Sequence, residues 1–248
     1  MLIHWDNRRE FIILENLEEA IAFSVEHWIH SYQRAIQRNG IFTVALSGGS
    51  TPKAIYKELA KSSQIQWDKV YFFWSDERAV SPDHLESNYK MAVDTGITSK
   101  IPASQIFRMK AEENIEKNAK DYESKLRHHF IEHSMDLVML GIGEDGHIAS
   151  LFPNTSALEI TDQWVVANYV PDKKTWRMTF TYPCIHKSAH IIIYALGKSK
   201  QNIVPKVLNA PIISSWPASR IGTPEHKALW ILDKDAALTL PPPPTIID

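Results

Sequence analysis

Cysteine is almost absent: the 248 residues contain one, Cys184. That excludes an intrachain disulfide and any multi-cysteine metal site, and the residue reads as a small buried hydrophobe. Long apolar runs are missing too. No stretch approaches the ~18 residues that span a bilayer. Met1 to Glu10 carries charges where a signal peptide would be apolar. The expected setting is cytoplasmic, without membrane contact. There is no long basic run, and a net charge of -2 does not suggest a nucleic-acid-binding face. What remains is an ordinary balance, 44% hydrophobic and 23% charged, in a chain able to bury a substantial α/β core. No internal repeat is evident. The expected organisation is one domain over residues 1–248, with a proline-rich tail at 241–248 whose Pro241 to Pro244 run favours polyproline II. Oligomeric state is not readable, and a monomer is the default expectation.

Hydrophobic periodicity divides the chain into alternating strands and helices. Phe11 to Leu14 reads as an edge strand. Leu17, Ala20, Ile21, Val25, Trp28, Tyr32, Ala35 and Ile36 form one helical stripe, with Asn16 and Glu19 as a capping box and Asn39-Gly40 as the stop. Ile41 to Leu46, Val70 to Trp74, Leu137 to Leu140, His190 to Leu196 and Ala228 to Leu232 read as buried strands. Trp164 to Ala167 is a further strand. Trp176, Met178 and Phe180 alternate with Arg177, Thr179 and Thr181, as in a half-buried strand with one polar face. Ala111, Ile115, Ala119, Tyr122, Leu126 and Phe130 mark a second long helix. His129 and His133 lie i, i+4 upon it; without a Glu-containing zinc motif they read as a solvated face.

Four of these strands end in polar or glycine-rich loops. Ser47-Gly48-Gly49-Ser50 precedes a helix with Pro52 in its first turn, an anion-binding arrangement of free N–H groups and helix dipole. It lacks the Gly-Lys-Ser/Thr ending of a Walker A loop. Ser75-Asp76-Glu77-Arg78 sets three charges at a strand end. Gly143-Glu-Asp145-Gly-His147 offers a histidine, the side chain best suited to proton transfer near neutral pH. Gly197-Lys-Ser-Lys200 sets lysines at a helix start, which the dipole disfavours unless a bound anion offsets them, and Pro205 would shorten that helix. In a parallel sheet the ligand crevice lies beyond the carboxyl ends of the strands, which brings all four loops to one side. Ser47, Gly48, Gly49, Ser50, Arg78 and Lys200 then form a phosphate-binding end. His147 acts at the other end, on a proton-transfer target, with Asp145 or Asp76 orienting its imidazole or hydroxyls of the ligand. Arg177 is either a surface charge or a further ligand.

Gly141-x-Gly143-x-x-Gly146 matches a dinucleotide fingerprint literally. The fingerprint needs a long helix behind the glycines, but Pro153 interrupts the segment and Glu144, Asp145 and His147 crowd the pyrophosphate position.

Taken together, Leu46 to Pro52, Trp74-Ser-Asp-Glu-Arg78, Gly141 to His147 with Ala149-Ser-Leu-Phe-Pro153, Arg177 to Thr181, Gly197 to Lys200 and Asp233-Lys-Asp-Ala-Ala237 resemble the 6-phosphogluconolactonases of the glucosamine-6-phosphate isomerase/6-phosphogluconolactonase family. The resemblance covers nearly the whole chain. It implies a Rossmann-like α/β fold, a mostly parallel sheet with helices on both faces. It also implies hydrolysis of 6-phospho-D-glucono-1,5-lactone in the oxidative pentose phosphate pathway, with no cofactor and no metal. The related deaminases usually carry an acid where this chain has Phe152, and Asp-Glu-Tyr where it has Asp76-Glu77-Arg78; both differences favour the lactonase. Glu144 and Ile148 look deaminase-like, and Pro205 departs from the family pattern. The alternatives are a glucosamine-6-phosphate deaminase and a non-catalytic sugar-phosphate sensor.

Overall fold

Strands that are apolar along their whole length need cover on both faces, and these belong to a seven-stranded sheet of order β1-β2-β10-β9-β6-β3-β4. The computed structural model describes residues 1–131 and 133–242. The strands are β1 (Leu2–His4), β2 (Arg9–Leu14), β3 (Phe42–Leu46), β4 (Val70–Trp74), β5 (Asp76–Arg78), β6 (Leu137–Gly141), β7 (Val165–Val170), β8 (Thr175–Phe180), β9 (His190–Ala195) and β10 (Ala228–Asp233). The helices are α1 (Leu17–Asn39), α2 (Ser50–Leu59), α3 (Asn88–Asp94), α4 (Ile115–His129), α5 (Tyr182–His186), α6 (Ile203–Asn209) and α7 (Lys234–Ala237). All neighbours in the large sheet pair in parallel except β1 and β2. The fold is a mostly parallel α/β sheet with helices on both faces. Trp28, Phe42, Phe72, Trp74 and Trp230 fill its core.

Topology fixes the position of the crevice. From β3 the chain moves outward to β4, then returns to β6 on the other side of β3 and continues to β9. Connections leaving β3 and β6 thus run in opposite directions, and the gap beyond their carboxyl ends is where α/β sheets bind ligands. A second antiparallel sheet, β5-β8-β7, borders this gap. It is joined to the first by the Phe180 N–H, which donates to Ser75 O at 2.8 Å.

Local chemistry explains the helix ends. Asn16 is extended, and its Oδ1 accepts from Glu19 N at 3.0 Å. The Glu19 carboxylate reaches back to Glu15 N rather than to Asn16 N, so the capping box closes one residue early. Gly40 ends α1 at φ 75, a left-handed conformation that favours glycine.

Several expectations need correction. Phe11 to Leu14 does not lie at the sheet edge, because β1 pairs outside it. Asp76-Glu77-Arg78 is the strand β5, pairing with β8, rather than a loop. The polar face of β8 is not solvated: Thr179 and Thr181 are fully buried, while Trp176 is 39% exposed. α4 ends at His129, so His133 is not on it; the His129 ring meets Phe107 edge-on at 4.6 Å. After β9 a 3-10 turn, Lys198–Lys200, comes before α6, and Pro205 occupies the first turn of α6, where a missing N–H is tolerated. Of the expected tail, residues 243–248 lie outside the described residues.

Burial on α1 pushes the His27 imidazole down from its ordinary 6.5 to about 4, reinforced by His190, Arg34 and His30. Its Nδ1 has no partner among the described residues. Between those two pH values the unfolded chain binds a proton that the folded chain refuses, so stability is complete above 6.5 and falls toward 4. The full effect is on the order of 3 kcal/mol. Urea unfolding of His27→Leu across this range is expected to show a shallower acid loss than the parent chain.

Candidate active site

The loop leaving β3 is held from behind. Ser47 N–H donates to the Tyr56 hydroxyl at 2.9 Å, and that hydroxyl donates to Ser47 O at 3.0 Å. Gly49 adopts φ 111 and caps α2 with no side chain on its first N–H groups, leaving Ser50 and Thr51 N–H at the helix start. A free helix N-terminus favours an anion. Gly48 is required sterically, because any Cβ there would overlap the Asn88 carboxamide.

Asn88 is itself fixed. Its Nδ2 donates to Asp76 O at 2.9 Å and Asp76 Oδ1 at 3.2 Å. Asp76 is buried, and its Oδ2 accepts from Ser150 Oγ at 2.7 Å. One carboxyl group thereby joins the glycine loop, the second sheet and the segment after His147. Glu77 plays a parallel part for α3. It accepts from Arg78 N, Asn88 N and Tyr89 N at 2.8 Å and from Ser87 Oγ at 3.0 Å. Burial outweighs these bonds and holds the Glu77 carboxyl above the usual range.

Arg78 and Arg177 stand opposite each other in the β5–β8 register. Arg78 Nη1 donates to Glu86 O at 2.7 Å, and the Nε of both arginines is buried without a partner among the described residues. Burial, and then the neighbouring Arg78, lower the Arg177 pKa. Two adjacent guanidinium groups with unmet donors suit a multivalent anion.

The loop after β6 is a tight turn. Gly146 N–H donates to Gly143 O and Gly143 N–H to His147 O, each at 3.0 Å. A Cβ on Gly143 would strike the His147 ring. Asp145 Oδ1 lies 2.6 Å from His147 Nδ1 and also accepts the His147 backbone N–H at 3.1 Å. Burial raises the Asp145 pKa, but the His147 bond and charge more than offset it and hold the carboxyl below its ordinary range. A carboxylate accepting at Nδ1 selects the tautomer whose Nε2 is an open acceptor. That is the geometry of an oriented general base.

The four regions meet around a cleft of about 320 Å³ lined by Ser47 to Pro52, Asp76, Arg78, Gly141 to Gly143, His147, Ala149, Tyr194, Leu196, Ser199 and Lys200. Asp145, bonded to His147, and Arg177, paired with Arg78, are outside this lining. The volume suits a small sugar phosphate. A larger cavity of about 490 Å³ is lined by Met135, Ser188 and Thr223, which lead into β6, β9 and β10, at the opposite end of the sheet. Among the described residues no group of three or more His, Cys, Asp or Glu has metal-binding proximity. No helix there is long and apolar enough to cross a membrane.

The family model described as glucosamine-6-phosphate isomerases/6-phosphogluconolactonase matches residues 15–230. The chain belongs to that family. A 6-phosphogluconolactonase of Chlamydia muridarum is 39% identical over 236 residues, 94% of this chain and 91% of the relative. One from Nostoc sp. is 35% identical, covering 92% of this chain and 97% of its own. The solved 6-phosphogluconolactonase from Trypanosoma cruzi superposes with a TM-score of 0.85 at 26% identity, over 96% of this chain and 98% of that one. The dinucleotide pattern is thus a coincidence of spacing: a tight turn follows Gly143 where the fingerprint needs a long helix.

Sequence reasoning missed the residues that hold the site together. Asn88 reads only as a helix residue. Ser150 gives no local signal, because its partner Asp76 is distant in sequence. Asp233 accepts Gly197 N–H with both oxygens, at 2.9 and 3.0 Å, and caps α7 through Ala236 N. A capping pattern before α7 could have found half of that role.

Gly48→Ala is expected to displace Asn88 and distort the glycine loop. KM for a phosphorylated substrate should rise about tenfold or more, corresponding to loss of one charge-assisted bond of roughly 1.5–3 kcal/mol. Steady-state kinetics measures it.

Proposed function

We propose that this chain hydrolyses 6-phospho-D-glucono-1,5-lactone to 6-phospho-D-gluconate, the lactonase step of the oxidative pentose phosphate pathway. The observation that carries the reading is a carboxylate-oriented histidine facing a cleft whose other wall holds Arg78, Lys200 and an uncapped helix start. The named relatives support the same activity.

In this mechanism His147 Nε2 takes a proton from water as its oxygen attacks the C1 carbonyl. The tetrahedral intermediate collapses with cleavage of the bond between C1 and the ring oxygen. The imidazolium returns its proton to that oxygen, giving the open-chain acid, which then ionises. Asp145 keeps Nδ1 protonated throughout. Arg78 and Lys200 hold the phosphate with Ser47, Gly48, Gly49 and Ser50, and Arg177 supports Arg78 or adds a further contact. Asp76 lines the cleft and is available to the sugar hydroxyls. No step uses a metal or cofactor. The same reading takes the chain as a single-domain cytoplasmic monomer; elution of a dimer in size-exclusion chromatography would contradict that part.

His147→Ala should lower kcat on freshly prepared lactone by ~10²–10⁴-fold, the typical value of a positioned base. Near-wild-type kcat would remove His147 from the role. Arg78→Ala and Lys200→Ala should instead raise KM about tenfold or more, with a smaller change in kcat. Ammonia release from glucosamine 6-phosphate would favour deamination instead.

A further inference from the structure

The His147 imidazole lies flat on the Phe152 ring, with centroids 4.0 Å apart and planes 18° apart. The next closest aromatic pair among the described residues is at 4.6 Å. Phe152 is only 7% exposed, so it is held rather than draped over the imidazole. Its carbonyl accepts from Thr155 Oγ1 at 2.8 Å, and that oxygen accepts from Asn168 Nδ2 at 3.0 Å. The same Asn168 amide donates to Ser150 O at 2.9 Å, and Asn168 is fully buried on β7. The phenyl ring is therefore carried by a segment anchored in the second sheet.

The turn that carries His147 is gripped from another side. Ala218 N–H donates to Gly146 O at 3.0 Å, and Trp216 leaves no free room for a Cβ on Gly146. Backbone position is thus fixed, and Asp145 fixes Nδ1. One hydrogen bond restrains χ1 and χ2 only softly: the half-exposed Asp145 carboxylate can follow the ring as both torsions change, and Nε2 can then swing away from the cleft. A flat apolar surface against one face removes that freedom and keeps water from that face. A misplacement of about 1 Å at a reacting group can cost ~10²-fold in rate.

We propose that Phe152 is a positioning residue that sets the plane of the His147 imidazole and holds Nε2 toward the substrate carbonyl. The proposal rests on the general-base reading of His147 and adds to it. It acts through His147 and touches no substrate.

The test pairs kinetics with NMR. Phe152→Leu should lower kcat about tenfold or more with KM within twofold, and Phe152→Tyr, which keeps the flat ring, should restore most of kcat. In the parent chain and in Phe152→Tyr, ring current from the stacked ring should move the His147 Hδ2 and Hε1 resonances upfield; Phe152→Leu should abolish that shift. If Phe152→Leu does not fold, Phe152→Met takes its place, filling similar volume without a flat face. Wild-type kcat in Phe152→Leu, equal losses in the Leu and Tyr variants, or a rise in KM with kcat unchanged would each overturn the inference. His147→Ala is run beside them. If it is inactive while Phe152→Leu is fully active, the positioning role alone fails. If His147→Ala keeps near-normal kcat, the general-base reading fails and the positioning role with it.

Discussion

The Asp76 carboxyl group is where the architecture closes. Asp76 opens β5 two residues after β4 ends, and its carboxylate accepts from Ser150 Oγ and Asn88 Nδ2. Those two donors belong to the segment after His147 and to the helix behind Gly48. A buried polar group left without partners costs roughly 1–3 kcal/mol, so Asp76 requires both donors and each donor requires Asp76. The glycine loop, the second sheet and the histidine turn therefore keep one relative geometry. Catalysis that relies on positioning needs that rigidity.

The proposed function separates binding from chemistry along the cleft. Positive charge sits at one end, on Arg78, Lys200 and the start of α2, with Arg177 paired to Arg78 across the second sheet. In the proposed mechanism proton transfer belongs to the other, where His147 is paired with Asp145. A lactone is a reactive ester, so one oriented base contributing ~10²–10⁴-fold is an adequate device. Binding energy from the remote phosphate can hold the carbonyl at His147, which is how a non-reacting group serves the reacting one.

Much of this was legible in the sequence because it is local. The buried strands announce themselves as apolar runs, α1 by its stripe and caps, and the four loops by glycine, hydroxyl and charge at strand ends. The parallel-sheet rule then places those loops together without coordinates. What stayed hidden depends on contacts distant in sequence. Asp76 and Ser150 are 74 positions apart, and Gly197 and Asp233 are 36 apart. The short strand Asp76–Arg78 was invisible because its charges mimic a surface turn; only pairing with β8 makes it a strand. The choice between Asp145 and Asp76 as the partner of the imidazole likewise needed three dimensions, and the 2.6 Å contact assigns it to Asp145. β2 was misplaced at the edge because the three residues of β1 carry too little pattern to be read as a strand.

The central claim is that one end of the cleft grips phosphate so that the other can act on a lactone carbonyl. Comparing kcat/KM for 6-phosphogluconolactone with that for unphosphorylated gluconolactone tests it most directly, each corrected for spontaneous hydrolysis. Two charge-assisted contacts of roughly 1.5–3 kcal/mol each predict a preference of about 10²-fold or more for the phosphorylated lactone. Equal values for the two lactones would contradict the account.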